Sequence, residues 1–202
     1  FGNSPIPSQS LSVFDYAAIV ITFIQKLKLT DYVLLGHSFG GRIAIKIAAR
    51  HPPELAGLIL TGAAGIRPRR GFQRFIFIII AKIGKIFFKI ITWPSLNRLG
   101  KRLLYRMTGS SDYQKLNNKI MQETFKKVVQ DDLTALLAEI SVKTLLLWGK
   151  NDNTTPLSDG QKMHQLMPKS ELVVFETVGH RLPYEKPGEF TKNILKWIKK
   201  NT

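Results

Sequence analysis

The 202 residues include no cysteine. That excludes disulfides, thiolate metal sites and a thiolate nucleophile together. Acidic side chains are also scarce: 14 Asp and Glu stand against 30 Lys and Arg, a formal net charge of +16. The shortage is local. Between Glu54 and Asp112 no acidic residue occurs, yet Arg67, Arg69, Arg70, Arg74, Lys82, Lys85, Lys89, Arg98, Lys101, Arg102 and Arg106 all fall there. The charge therefore belongs to one segment rather than to the whole surface. Internal repeats and low-complexity tracts are lacking as well. The chain opens on Phe1, in a loop-like FGNSPIPSQS, and the expectation is that an N-terminal part precedes it, leaving no signal peptide to assess.

What is present suits one sizeable core with an inserted lobe. The hydrophobic fraction is 44%, ordinary for a globular chain. Residues 12–28 carry apolar side chains at helical spacing behind Ser12, a candidate N-cap. Residues 32–36 read as a short buried strand. GGRIAIKIAAR at 40–50 reads as a helix stopped by His51-Pro52-Pro53, and 57–61 as a second strand. Two more strands, 143–148 and 171–175, enclose a helix at about 158–167, and a last helix follows Pro187. Strands that are apolar on both faces and alternate with helices predict an α/β fold, a mostly parallel sheet flanked by helices. Residues from 67 to about 138 break that alternation and read as several helices in succession.

Within this frame one stretch invites chemistry. Gly36-His37-Ser38-Phe39-Gly40 is a G-x-S-x-G pattern between a strand and a helix. The letters alone would arise by chance in roughly 7% of chains this long, so the context matters more. A strand-to-helix turn that tight strains the serine backbone and needs small neighbours, and the helix N-terminus offers N–H groups, first that of Phe39, to a developing oxyanion. A serine hydroxyl also needs a base, and the base an orienting acid. Of the four histidines, His51 ends a helix and His164 lies in a polar one. Strand alternation turns His37 away from Ser38, leaving it to packing or to lining a pocket. His180, in VGHRLPYEKP, follows the last strand directly. Asp152, in LLLWGKNDNTTP, follows the third. Ser38, Asp152 and His180 thus occupy loops at the carboxyl edge of one parallel sheet.

In these motifs the chain resembles the α/β-hydrolases. The order Ser, Asp, His is that family's. GHSFGG resembles its elbow, WGKNDNTTP its acid loop, GHRLPYEKP its histidine loop, and FGNS the end of its D-x-P-G-F-G-x-S loop. The helical insert matches the position of the family's cap. The resemblance implies a partial hydrolase core at 1–66 and 137–202 with a cap at 67–136. It also implies that this stretch begins after the fourth of the family's eight strands, without the loop that supplies the other oxyanion donor. It implies a serine hydrolase that cleaves an ester, a related carbonyl or a C–C bond of a hydrophobic small molecule through an acyl-enzyme. Ser38 would be the nucleophile, His180 the base, Asp152 its partner and the Phe39 amide an oxyanion donor. No metal or organic cofactor is implied.

Residues 72–91 carry Arg74, Lys82, Lys85 and Lys89, which on a helix fall within roughly 80° of one another. The opposite face, with Phe75 and Ile79, is apolar. A cationic stripe beside a broad apolar face argues against a membrane span. It suits a helix lying on a surface, either this protein's own core, where Phe75, Ile79 and His37 would line the substrate pocket, or an anionic membrane. The basic residues interleave with isoleucine rather than with stacking aromatics, which argues against nucleic acid. The corresponding expectation for location is cytoplasmic, extended to a membrane-peripheral position if the lobe docks on lipid. The alternative expectation is a catalytically impaired module that works through this lobe, on a membrane or a protein partner.

Overall fold

The computed structural model describes residues 4–66 and 118–201. Contacts along the chain divide it into two compact units, Phe1–Ser10 with Pro68–Lys126, and Leu11–Arg67 with Lys127–Thr202. In chain order the described elements are α1 (Val13–Lys26), β1 (Tyr32–His37), α2 (Phe39–Ala48), β2 (Leu55–Thr61), α3 (Lys119–Gln130), a 3-10 helix (Thr134–Glu139), β3 (Thr144–Gly149), α4 (Leu157–Leu166), β4 (Ser170–Phe175), α5 (Leu182–Glu185) and α6 (Pro187–Asn201).

The four strands form one parallel sheet in the order β1-β2-β3-β4. Strand alternation sorts the side chains into two layers. Leu58, Leu60, Leu146 and Trp148 face one side, where they meet Ala44, Ile45 and Met163. Ile59, Leu145 and Leu147 face the other, against Phe190 and Trp197 of α6. All six residues of β3 are buried because the strand has a neighbour on each side and cover on each face. Burying one such Leu contributes about 1.5–3 kcal/mol, so the paired layers fix the sheet firmly.

Local chemistry sets the helix starts. Ser12 caps α1 reciprocally: its hydroxyl accepts from the Asp15 amide at 3.3 Å, and the Asp15 carboxylate accepts from the Ser12 amide at 2.7 Å. The Ser12 hydroxyl also donates to Asp15 Oδ2 at 2.7 Å, and this bond first, then that of the Ser12 amide, holds the Asp15 carboxyl below its ordinary range. Arg42 of α2 is buried and donates to the Asp131 carbonyl at 2.6 Å, tying α2 to the segment that leads into β3. Burial pulls its guanidinium down from the ordinary value, and the nearby Asp131 and Asp132 oppose that.

The α/β architecture expected from the sequence is the observed one, with boundaries shifted by one or two residues. DLTALLAEI, expected as a helix of the insert, instead forms the 3-10 turn. Its Leu133 and Leu137 are fully buried with Ile45 and Leu58, and the Leu133 amide donates to the Gly65 carbonyl at 2.8 Å. These residues lie in the compact unit that holds the sheet. The short α5 was not expected. Phe75 and Ile79, with most of the expected cap, lie outside the described residues. Among the described residues no helix is long and apolar enough to cross a membrane.

Candidate active site

The chain passes from β1 to α2 through a single residue, Ser38, at φ 52° and ψ −115°. A non-glycine residue held there stores roughly 1–3 kcal/mol of backbone strain, which its surroundings must sustain. They do so through hydrogen bonds. The Ser38 amide donates to the Thr61 carbonyl at 3.2 Å, and its carbonyl accepts from the Gly41 and Ala64 amides at 3.0 Å each. Strand and helix approach so closely that a Cβ on Gly36 would lie 2.7 Å from the Gly40 carbonyl oxygen. Phe39 opens α2, which puts its amide at the helix N-terminus, and its ring packs edge-on against Tyr16 at 5.1 Å. Burial raises the Tyr16 phenol above its ordinary range.

His180 stands between β4 and α5. Its Nε2 lies 3.0 Å from Ser38 Oγ and its Nδ1 2.8 Å from Asp152 Oδ2. The loop that carries it is held by backbone and side-chain bonds. The Asn151 amide donates to the Val178 carbonyl at 3.0 Å, and the Gly179 amide donates to Glu185 Oε2 at 3.3 Å. Asp152, 4% exposed, follows β3. Its Oδ1 accepts from the Thr154 and Thr155 amides at 2.8 and 2.9 Å. A carboxylate only accepts, so the His180 proton sits on Nδ1, and the Nε2 lone pair is left to accept from the Ser38 hydroxyl. The arrangement can therefore take a proton from an alcohol.

Asp159, in the first turn of α4, senses the same region. Burial raises its carboxyl above the ordinary range, Lys162 opposes this, and the charge of Asp152 adds to it. Among the described residues no cluster of side chains is arranged to hold a metal ion.

The structure thus brings Ser38, Asp152 and His180 together at one edge of the sheet. His37 packs against the loop that carries His180. Its Nε2–H donates to the His180 carbonyl at 2.9 Å, and the two rings lie 5.0 Å apart. His51 and His164 bond instead to Ser141 and Ser170, in exposed positions. Two residues at the site escaped the sequence reading, Thr155 and Gly62. A hydroxyl residue three places after an aspartate is a turn signal that could have drawn attention to the first. Nothing local marks the second.

With this geometry in view, the likeness to known proteins is informative. The profile of a hydrolase family described as "Serine aminopeptidase, S33" matches residues 2–187. The chain belongs to this α/β-hydrolase family. It is 28% identical over 182 residues to a 2-hydroxy-6-oxo-6-phenylhexa-2,4-dienoate hydrolase of Comamonas testosteroni, across 82% of this chain and 62% of that one. It is 29% identical over 217 residues to the AB hydrolase superfamily protein YisY of Bacillus subtilis (strain 168), covering 98% of this chain and 77% of the relative. An esterase from Exiguobacterium antarcticum superposes with a TM-score of 0.70 at 26% identity, over 98% of this chain and 78% of the esterase. The chain therefore spans about 62% of the length of the dienoate hydrolase it matches. All three of these proteins are named as hydrolases or esterases.

Proposed function

We propose that this α/β-hydrolase acts as a serine hydrolase on a carbonyl of a hydrophobic small molecule. The supporting observation is the continuous relay from Ser38 Oγ through the His180 ring to Asp152, at 3.0 and 2.8 Å. Ser38 attacks the carbonyl carbon while His180 Nε2 takes its proton, and Asp152 holds the imidazolium by its Nδ1–H. The Phe39 amide, at the head of α2, donates to the oxyanion of the tetrahedral intermediate. His180 then returns the proton to the leaving alkoxide, or to the leaving carbanion where a C–C bond breaks. Water, deprotonated by the same imidazole, releases the acid from the acyl-enzyme. No step calls for a metal or an organic cofactor.

The substrate class is supported by the relatives: one named for cleaving a dienoate and one named an esterase. Both reactions begin at a carbonyl carbon, and the dienoate of the first carries a phenyl group. A fluorophosphonate reagent tests the chemistry, followed by p-nitrophenyl esters and a 2-hydroxy-6-oxo-dienoate as substrates. The expected result is labelling that disappears in Ser38→Ala, with turnover of at least one substrate class. A folded chain that is unlabelled, or labelled equally in Ser38→Ala, overturns the proposal.

A further inference from the structure

The relay described above has a fourth polar group against it. Thr155, 6% exposed, places its hydroxyl oxygen 2.9 Å from the Gly62 carbonyl, 2.9 Å from Asp152 Oδ2 and 3.2 Å from His180 Nδ1. Those three partners sit on three different loops. Gly62 follows β2, Asp152 follows β3 together with Thr155 itself, and His180 follows β4. One buried hydroxyl is thus the point where three strand exits meet.

Its proton inventory is tight. A hydroxyl has one proton to give, while the Gly62 carbonyl and the Asp152 carboxylate both only accept. The proton is shared between those two, and the oxygen's lone pairs face the Nδ1–H of His180. The hydroxyl therefore has a partner in every direction, and any rotation of the imidazole or the carboxylate breaks one of its bonds. The backbone of Thr155 is fixed as well. Its amide donates to Asp152 Oδ1 at 2.9 Å, and its carbonyl accepts from the indole N–H of Trp148, a fully buried residue of β3, at 2.8 Å. Room for this cluster comes from Gly62, at φ +46°, where a Cβ would lie 3.1 Å from Asp152 Oδ2 and 3.2 Å from His180 Nδ1.

We infer, on the hydrolase assignment proposed above, that Thr155 is a positioning residue whose hydroxyl locks the loops after β2, β3 and β4 together and keeps the Asp152–His180 pair aimed at Ser38. It touches no reacting atom. It acts through the orientation of the imidazole, as outer partners of a metal-bound histidine do, where their loss costs roughly 10- to 100-fold.

The test compares Thr155→Val, which keeps the shape and loses the hydroxyl, with Thr155→Ser, which keeps the hydroxyl and loses the methyl. Two readouts are taken on the full chain: the rate of fluorophosphonate labelling, and the low-field proton signal of the His180 Nδ1–H in ¹⁵N-histidine protein. Circular dichroism establishes that each variant is folded, and Thr155→Ala replaces Thr155→Val should the latter not fold. We expect Thr155→Val to label about 10- to 100-fold more slowly and to lose or move the Nδ1–H signal. We expect Thr155→Ser to stay within about threefold of the parent, with the signal kept. On ester substrates the loss falls on kcat rather than KM. A valine variant that labels at the parental rate with an unmoved signal overturns the inference, as does a serine variant as slow as valine. If the parent shows no Ser38-dependent labelling but its Nδ1–H signal follows the hydroxyl across the two variants, the positioning role stands and the hydrolase assignment falls.

Discussion

Two ends of the same sheet each carry a serine touching a histidine, and only one of them is arranged to react. At the carboxyl end, Ser38 meets His180 at 3.0 Å; at the amino end, Ser170, the first residue of β4, meets His164 at 2.9 Å. The distances are alike and the proton logic differs. The Met167 and His164 carbonyls, at 2.9 and 3.2 Å, compete with His164 Nδ1 for the single hydroxyl proton of Ser170. At the other end Asp152 fixes the proton on Nδ1 of His180 and frees Nε2 to accept. The contact is therefore no guide to reactivity; what stands behind the ring decides it.

Several substitutions should sharpen that contrast. The largest effect is expected from Ser38→Ala, which should lower ester hydrolysis by about 10⁶-fold and abolish labelling. Asp152→Asn should follow at about 10⁴-fold, because an amide can present its N–H to the ring and favour the wrong tautomer. Gly62→Ala adds a methyl against both Asp152 and His180 at a positive φ, and should cost about 10²-fold in the labelling rate through a small displacement of the pair. His164→Ala and Ser170→Ala should leave labelling unchanged, and equal damage at the two ends of the sheet would erase the distinction. The smallest effect on the site is expected at α1. Ser12→Ala should leave the labelling rate alone while lowering stability by about 1 kcal/mol at neutral pH. The Asp15 carboxyl is held below its unfolded value by Ser12, so the share of this stabilisation carried by the carboxylate is present above the ordinary carboxylate range and lost as pH falls through the depressed folded value, while the bond from the Asp15 amide to the Ser12 hydroxyl stays. Thermal melts of parent and variant should therefore converge toward acid pH.

The strands were legible because each is a short run rich in Leu, Ile and Val and bounded by breakers such as His51-Pro52-Pro53. Ser38, Asp152 and His180 were legible because each directly follows a strand or stands in a loop after one. What stayed hidden depends on three dimensions. Thr155 looks like one more polar residue in NDNTTP, and its importance comes from a carbonyl 93 residues earlier in the chain. Gly62 reads as a turn glycine until the side chains it faces are placed. The 3-10 turn at Thr134–Glu139 reads as amphipathic helix, since apolar spacing of three and four residues serves both.

The strand order carries a kinetic corollary. Ser38 arrives with β1 and β2, whereas Asp152 and His180 arrive with β3 and β4, and the two halves of the sheet are joined where Leu58 to Thr61 zip onto Thr144 to Leu147. Reactivity toward a phosphonate then behaves as an order parameter for the final long-range closure of the chain. In a refolding time course it should appear after helical ellipticity has recovered and together with burial of the β3 tryptophan, which would make this serine a built-in clock for non-local assembly.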